Sequence, residues 1–279
     1  MIITGCSSGI GRCTARHLVE QGYEVYATAR RIEVLRDLAS AGAHVLAVDV
    51  ADESSMRECV GVVESRHGAV WGLINNAGYA LAGPVEELRM ADIHRQFQVN
   101  VFGHIAMTQL VLPGIRAEGG GRIVNISSVA SRFTLPGGGG YHASKHALSS
   151  FSEALRYEVR PFGVHVSAVE PGAVCTRFIE TALKVLASSA APGISEYASF
   201  RSALAHCYRS VQASPRRYGV VSPQRVACAV ERALSVRSPR SRYVVGAAAR
   251  TSLAFRQWLP EKWFDALVHR HFPVPQREG

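Results

Sequence analysis

Three side chains in the stretch ISSVASRFTLPGGGGYHASK have the types and spacing for proton chemistry: Ser128, Tyr141 and Lys145. A tyrosine and a lysine four residues apart share one face of a helix. A phenol with a pKa near ~10 is by itself a poor acid or base at neutral pH. A fixed ammonium one turn away favours the phenolate and is expected to bring the phenol into working range. The Ser128 hydroxyl can hydrogen-bond the oxygen of a reacting carbonyl or alcohol. Ser127 competes for that part, but strand alternation sends the two serines to opposite faces. The chain holds three lysines, Lys145, Lys184 and Lys262, among 31 basic residues. In so arginine-biased a sequence, a lysine at this spacing supplies a compact charge that a guanidinium does not.

Other motifs supply the setting. Thr4-Gly5-Cys6-Ser7-Ser8-Gly9-Ile10-Gly11 follows the apolar start Met1-Ile2-Ile3 and opens a helical pattern through Cys13, Leu18 and Val19. Strand, glycine-rich turn and helix form the context a dinucleotide site requires. Glycines allow a tight turn and close approach of backbone to a pyrophosphate seated on the helix N-terminus. Further along come Asn75-Asn76-Ala77-Gly78 after the run Val70–Ile74, then Asn100, then Pro171-Gly172 with Val174 and Thr176.

Taken together, and in this order, the motifs TGxxxGxG, NNAG, a helical Asn, Ser thirteen residues before Tyr, YxxxK and PGxVxT resemble the short-chain dehydrogenase/reductase family over residues 1–245. The resemblance implies a nicotinamide cofactor and hydride transfer between a carbonyl and an alcohol. It implies that Tyr141 is the general acid in reduction and the base in oxidation, and that Ser128 orients the substrate oxygen. It further implies that Lys145 binds the nicotinamide ribose and that Asn100 holds a water linking Lys145 to solvent. By the same resemblance Thr4, Gly5, Ser7, Ser8, Gly9, Ile10 and Gly11 form the phosphate loop. Asn76, Ala77 and Gly78 line the cleft, Asp49 and Val50 contact adenine, and Pro171, Gly172, Val174 and Thr176 hold the carboxamide end. A plainer reading of Asn100 is a helix or turn hydrogen-bonder, and of Asp49 the start of a turn before Glu53.

The end of the second strand bears on which dinucleotide binds. A ribose 2′-hydroxyl is usually held by an acidic residue about 20 positions beyond the glycines. Here that place reads Ala27-Thr28-Ala29-Arg30-Arg31, with two guanidinium groups and no carboxylate. Arg30 and Arg31 suit a 2′-phosphate, which favours NADP(H). Arg31 could instead cap the next helix in solvent.

The alternation of apolar runs and helical patterns predicts an α/β fold. The resemblance implies a single-domain Rossmann fold, a doubly wound parallel sheet of about seven strands with helices on both faces. Strands are expected at 1–4, 24–29, 44–48, 70–74, 121–127, 165–170 and 243–246, and helices at 9–21, 32–40, 53–66, 90–115, 141–161 and 223–236. Residues 1–250 form the cofactor domain, including a long insert at 177–222 of the size used for lids and binding segments. Residues 251–279 form an amphipathic tail. No signal-peptide pattern and no long apolar run is present, and six unpaired-looking cysteines fit reduced thiols, so a cytoplasmic location is expected. His142 and His146 are i, i+4, but no third ligand accompanies them, and no metal is expected.

Charge is uneven. Residues 1–200 hold 17 basic and 18 acidic side chains, and residues 201–279 hold 14 and 4. The arginines are dispersed with little aromatic interleaving, which argues against nucleic acid. In the tail, Trp263, Phe264, Leu267 and Val268 are expected on one helical face, opposite Lys262, Asp265 and Arg270. That face could close over substrate, pack a dimer or touch a membrane. The insert and tail look most like the hydroxysteroid and retinol dehydrogenase branch, implying a small lipophilic substrate such as a bulky apolar ketone or secondary alcohol. Gly137–Gly140 could leave room for it, or serve as a flexible lead-in. The family also implies a homodimer or homotetramer through the helices near 90–115 and 141–161. Two alternatives stand beside the NADP-dependent oxidoreductase. One is an epimerase or dehydratase using the same Tyr–Lys pair, and the other is a catalytically silent NADP-binding scaffold.

Overall fold

The computed structural model describes residues 1–188 and 196–275. Its centre is a parallel sheet of seven strands: β1 Ile2–Ile3, β2 Tyr26–Ala29, β3 His44–Ala47, β4 Gly72–Asn75, β5 Gly121–Ile126, β6 Val164–Pro171 and β7 Arg242–Val245. The order across the sheet is β3-β2-β1-β4-β5-β6-β7. Every pairing is parallel, so each connection must cross over through a helix, and both faces of the sheet are covered.

Neighbouring residues divide between the two faces. Ile3, Ala27, Ile74 and Val124 pack on one side with Ala15 and Leu18 of α1 (Gly9–Glu20). Joining them there are Val226, Val230 and Leu234 of α9 (Pro223–Ser235). Ile2, Tyr26, Leu73 and Ile123 pack on the other side. They meet Met56 and Val60 of α3 (Glu53–His67), Met107 and Val111 of α5 (Gly103–Ala117) and Val159 of α6 (Gly139–Val159). Strand alternation and the 3–4 spacing of the helical apolar positions produce the two layers of core. Pro223 opens α9 at its first turn, where a missing N–H costs nothing. Asp52 caps α3 by accepting the Ser54 N–H at 2.9 Å.

Several expected elements differ in detail. The helix expected at 32–40 is a 3₁₀ turn, Ile32–Leu35, followed by α2, Arg36–Ser40. The helix expected at 90–115 is two helices, α4 (Met90–Phe97) and α5, joined by a π-helical turn at Gln98–Phe102. Such turns widen the backbone spacing by one residue and concentrate at functional sites. The insert folds as α7 (Phe178–Ser188) and α8 (Ala198–Ala213), and Val174 pairs with Val221 to close its base. The part of the expected insert at 189–195 and the chain end at 276–279 lie outside the described residues.

The tail carries two helices, α10 (Ala247–Trp258) and α11 (Glu261–His271). On α11, Phe264 is buried and Leu267 and Val268 are partly covered, as expected, but Trp263 faces solvent. A helix this short is anchored by a narrow stripe, and Trp263 falls outside it. No helix among the described residues is long and apolar enough to cross a membrane.

Candidate active site

Strand order reverses between β1 and β4, and in open parallel sheets ligands sit at that switch point, beyond the carboxyl ends of the strands. A single cleft of about 1610 Å³ lies there. Its walls are the segments that leave β1 through β6, closed over by α7, α8 and α10.

The glycine loop is built by close approach. Gly5 has φ +73°, and a Cβ there would lie 2.7 Å from the Ala77 Cα. Gly9 has φ +60° and packs on Thr176. Ser8 makes no side-chain cap and the first turn of α1 holds no acidic residue, so the helix N-terminus presents backbone donors to the cleft. That is the donor set a pyrophosphate requires, and the residues fit a dinucleotide. Ser7, Ser8 and Ile10 line the cleft with Arg30, Arg31, Asp49, Val50, Asn76, Ala77 and Gly78. Pro171, Gly172, Val174 and Thr176 line it further along. Asp49 also accepts the Ala51 N–H at 3.0 Å, so the turn expected there is present as well.

Two expected cofactor residues stand behind the wall. Thr4 is fully buried, and its hydroxyl accepts the N–H groups of Asn76 at 2.9 Å and Ala77 at 3.0 Å. Gly11 faces Asn76, whose amide donates to the carbonyls of Thr4 and Gly5 at 2.8 and 3.1 Å. Both residues therefore join the glycine loop to the Asn76 turn and do not face the cleft. They sit one strand position and one helical turn from the surface that the loop exposes.

At the far end of the cleft, β5 and the start of α6 bring Ser128, Tyr141 and Lys145 to one wall. Ser128 accepts the Ala130 N–H at 3.1 Å. Lys145 is buried, its Nζ donating to the Ile126 carbonyl at 2.8 Å and lying 5.9 Å from the centre of the Tyr141 ring. Burial lowers the Lys145 ammonium to about 8. The same burial pushes the Tyr141 phenol up to about 12, against a smaller lowering effect from its hydrogen bond with Ser128. Burial thus works against the lowering that the sequence led one to expect for this phenol.

Asn100 sits in the π-helical turn, fully buried and off the cleft surface. Its amide donates to the Tyr79 carbonyl at 2.9 Å and to Ser144 Oγ at 3.1 Å, and its oxygen accepts the Tyr79 N–H at 3.1 Å. The plain hydrogen-bonding reading is thus met, and the bonds tie the Asn76 turn to the helix that carries Tyr141 and Lys145.

The glycine run does not leave open space. A Cβ on Gly137 would lie 2.4 Å from Leu204 Cδ2, and one on Gly138 would lie 2.6 Å from His142 Cδ2. The glycines let α8 and His142 pack against the lead-in to α6. Cys6 is buried and its thiol is pushed up to about 12, which fits a filler residue and not a reactive one.

Four further residues shape the site. His104, four residues after Asn100, is buried and held near pKa 3 by burial and by Lys145, and its Nε2–H donates to the Ala77 carbonyl at 2.7 Å. Arg177, next to Thr176, reaches Ser7 O at 3.4 Å and spans the cleft beside the glycine loop. Phe178 meets the Tyr141 ring edge-on at 5.3 Å. His142, buried, bonds the Phe133 carbonyl at 2.7 Å and fixes that part of the wall. For His104 the sequence signal is its i+4 spacing to Asn100.

The profile of the short chain dehydrogenases matches residues 1–185. The chain belongs to the short-chain dehydrogenase/reductase family. It is 34% identical over 278 residues to an uncharacterized oxidoreductase, YusZ, of Bacillus subtilis, covering 96% of each chain. It is 35% identical over 288 residues to retinol dehydrogenase 5 of Mus musculus, covering 99% of this chain and 89% of that one. Among solved structures it is similar to a short-chain dehydrogenase from Streptomyces avermitilis, with TM-score 0.78 and 31% identity, covering 96% of this chain and 94% of the other. The protein is therefore an oxidoreductase with a site for a nicotinamide dinucleotide.

Proposed function

We propose that this oxidoreductase uses NADP(H) to interconvert a bulky apolar ketone or aldehyde and its alcohol. The observation that carries this reading is the contrast along one cleft. Arg30 and Arg31 line the cleft at the end of β2, where the sequence has no acidic residue to take a ribose 2′-hydroxyl. Beyond Tyr141 the cleft is walled by Phe133, Leu135, Phe178, Leu204 and Tyr208.

In the direction of reduction, the nicotinamide supplies the hydride when bound. Ser7, Ser8 and Gly9 would hold its pyrophosphate at the α1 N-terminus, and Arg30 and Arg31 would hold the 2′-phosphate. Asp49 and Val50 would hold the adenine, and Lys145 with Pro171, Val174 and Thr176 the nicotinamide half. Ser128 orients the substrate oxygen and Tyr141 gives it a proton. A phenol near 12 is protonated at neutral pH, which equips it to donate and makes it a scarce base. Lys145, near 8, keeps most of its charge at neutral pH, passes a proton to the phenolate that forms and takes its replacement from solvent. Asn100 and His104 hold the Asn76 turn and α6 in register.

Exposed Phe102 on the π-helical turn and Phe151 and Tyr157 on α6 support a homo-oligomer joined through α5 and α6. The name of the mouse relative, a retinol dehydrogenase, agrees with an isoprenoid- or steroid-sized substrate. We place the enzyme in the cytoplasm, with the inner side of the tail, Ser252 and Phe272, as a wall of the substrate end. A paired fluorescence titration with NADPH and NADH, followed by a panel of ring ketones, tests the reading. Tighter NADPH binding with ketone-dependent oxidation is expected. Equal affinity for the two dinucleotides, or turnover confined to small polar carbonyls, would overturn it.

A further inference from the structure

The α10–α11 hairpin has two sides with different chemistry. Its inner side belongs to the cleft: Ala248, Ala249 and Ser252 of α10 and Phe272 just after α11 line it. Phe264 is buried and meets the cleft residue Phe133 at 5.9 Å between ring centres, which anchors α11 to the wall. The outer side carries Phe255, Trp258 and Trp263, which are 46%, 79% and 70% exposed. Two indoles and a phenyl ring so close in the chain, around the Leu259-Pro260 turn, are costly to leave in water.

Charge accompanies the rings. Arg250, Arg256, Lys262 and Arg270 lie on the same two helices, against Glu261 and Asp265. Arg256 stacks on Phe264 at 5.3 Å, so its guanidinium is held beside the turn. Arg270 falls two helical turns after Trp263 and so shares its face, contrary to the opposition expected from the sequence. Aromatic rings that seat at the headgroup level, flanked by cations that meet anionic lipid, are the two attractions that hold an interfacial helix on a bilayer.

We propose that the outer side of the α10–α11 hairpin docks on an anionic lipid bilayer, with the mouth of the substrate cleft beside the membrane. This rests on the reading of the substrate as bulky and apolar: such a molecule is concentrated in lipid, and the hairpin that grips the bilayer also walls the cleft. A membrane-spanning helix is not needed, since one face of each helix suffices.

Co-sedimentation of the full-length protein tests this, using vesicles of phosphatidylcholine alone and of phosphatidylcholine with phosphatidylserine. The wild-type protein is expected to pellet with the anionic vesicles, in a salt-sensitive way, and to shift its tryptophan emission to the blue. Trp258→Ser with Trp263→Ser should weaken that binding by about tenfold or more, while keeping the NADPH oxidation rate with a water-soluble ketone. Wild-type protein remaining in the supernatant with both vesicles would overturn the proposal. So would a double variant that pellets unchanged, or one whose sole change in sedimentation velocity is loss of a dimer, which would assign the face to self-association. Vesicle binding is read without turnover, so its failure is distinct from failure to reduce a ketone.

Discussion

At the adenosine end of the cleft the protein presents backbone and cations, while at the Tyr141 end it presents side chains from four separated segments. Gly5, Gly9 and the open first turn of α1 form the first surface, with Arg30, Arg31 and Asp49 placed by the ends of β2 and β3. Phe133, Tyr141, Phe178, Leu204 and Phe272 form the second. The first surface is fixed by the strand ends, which the sheet's hydrogen bonds hold in register. The second is fixed by helices packing on one another, so its shape depends on contacts such as Leu204 on Gly137. Cofactor recognition is therefore a property of the sheet, and substrate recognition a property of what is laid over it.

Substitutions at the two ends should fail in different ways. The largest effect is expected for Tyr141→Phe, which keeps the ring and its contact with Phe178 but removes the proton. Turnover should fall by about 10³-fold or more with NADPH affinity unchanged. A loss of NADPH binding in step with turnover would mean that the two ends are not separable.

Lys145→Met sharpens the comparison through pH. Lys145 titrates near 8 in the folded chain against 10.5 when free. Between those values the unfolded chain binds more protons, so the wild-type protein gains stability from this group as pH rises through the window and bears the burial cost below it. The stability of Lys145→Met relative to wild type should thus be most favourable at neutral pH. It should decline by about 2–3 kcal/mol as pH rises to 10.5, measured by urea unfolding at a series of pH values. A pH-independent difference would show that the ammonium is not buried as described.

Arg30→Asp should act at the other end alone. The NADPH-to-NADH preference should drop by about 10- to 100-fold, with the Tyr141-dependent chemistry intact when NADH saturates the enzyme. An unchanged ratio would move the 2′-phosphate to another cation. The smallest effect is expected for Phe178→Ala, which opens the wall beside Tyr141. KM for a bulky ketone should rise about tenfold with little change in kcat or in NADPH affinity. A fall in kcat without a change in KM would make Phe178 a support of Tyr141 and not a wall of the pocket.

The same division explains what the sequence could disclose. The sheet, its crossover helices and the cofactor loop follow from periodicity and from short motifs, because each is decided by neighbours in the chain. Ser128, Tyr141 and Lys145 were legible because all three lie on one strand–helix unit. That Thr4 and Gly11 stand behind the cleft wall was hidden because a motif fixes spacing but not which of its members faces the cleft. The π-helical turn at Asn100 was invisible, since it inserts one residue without altering the apolar pattern. The role of Gly137 was hidden because its partner, Leu204, is far away in sequence. The burial of the Tyr141 phenol, which pushes it up, was hidden because spacing does not report burial.

The account stands most directly on one measurement: NADPH oxidation by wild-type protein and Tyr141→Phe with a ring ketone, with NADPH affinity read by fluorescence in the same samples. The account predicts ketone-dependent oxidation by the wild-type protein, and a variant that binds NADPH equally well and turns over at most a thousandth as fast, a fall of about 10³. A variant that retains near-normal turnover would contradict the assignment of the proton to Tyr141, and with it the division of the cleft into two ends.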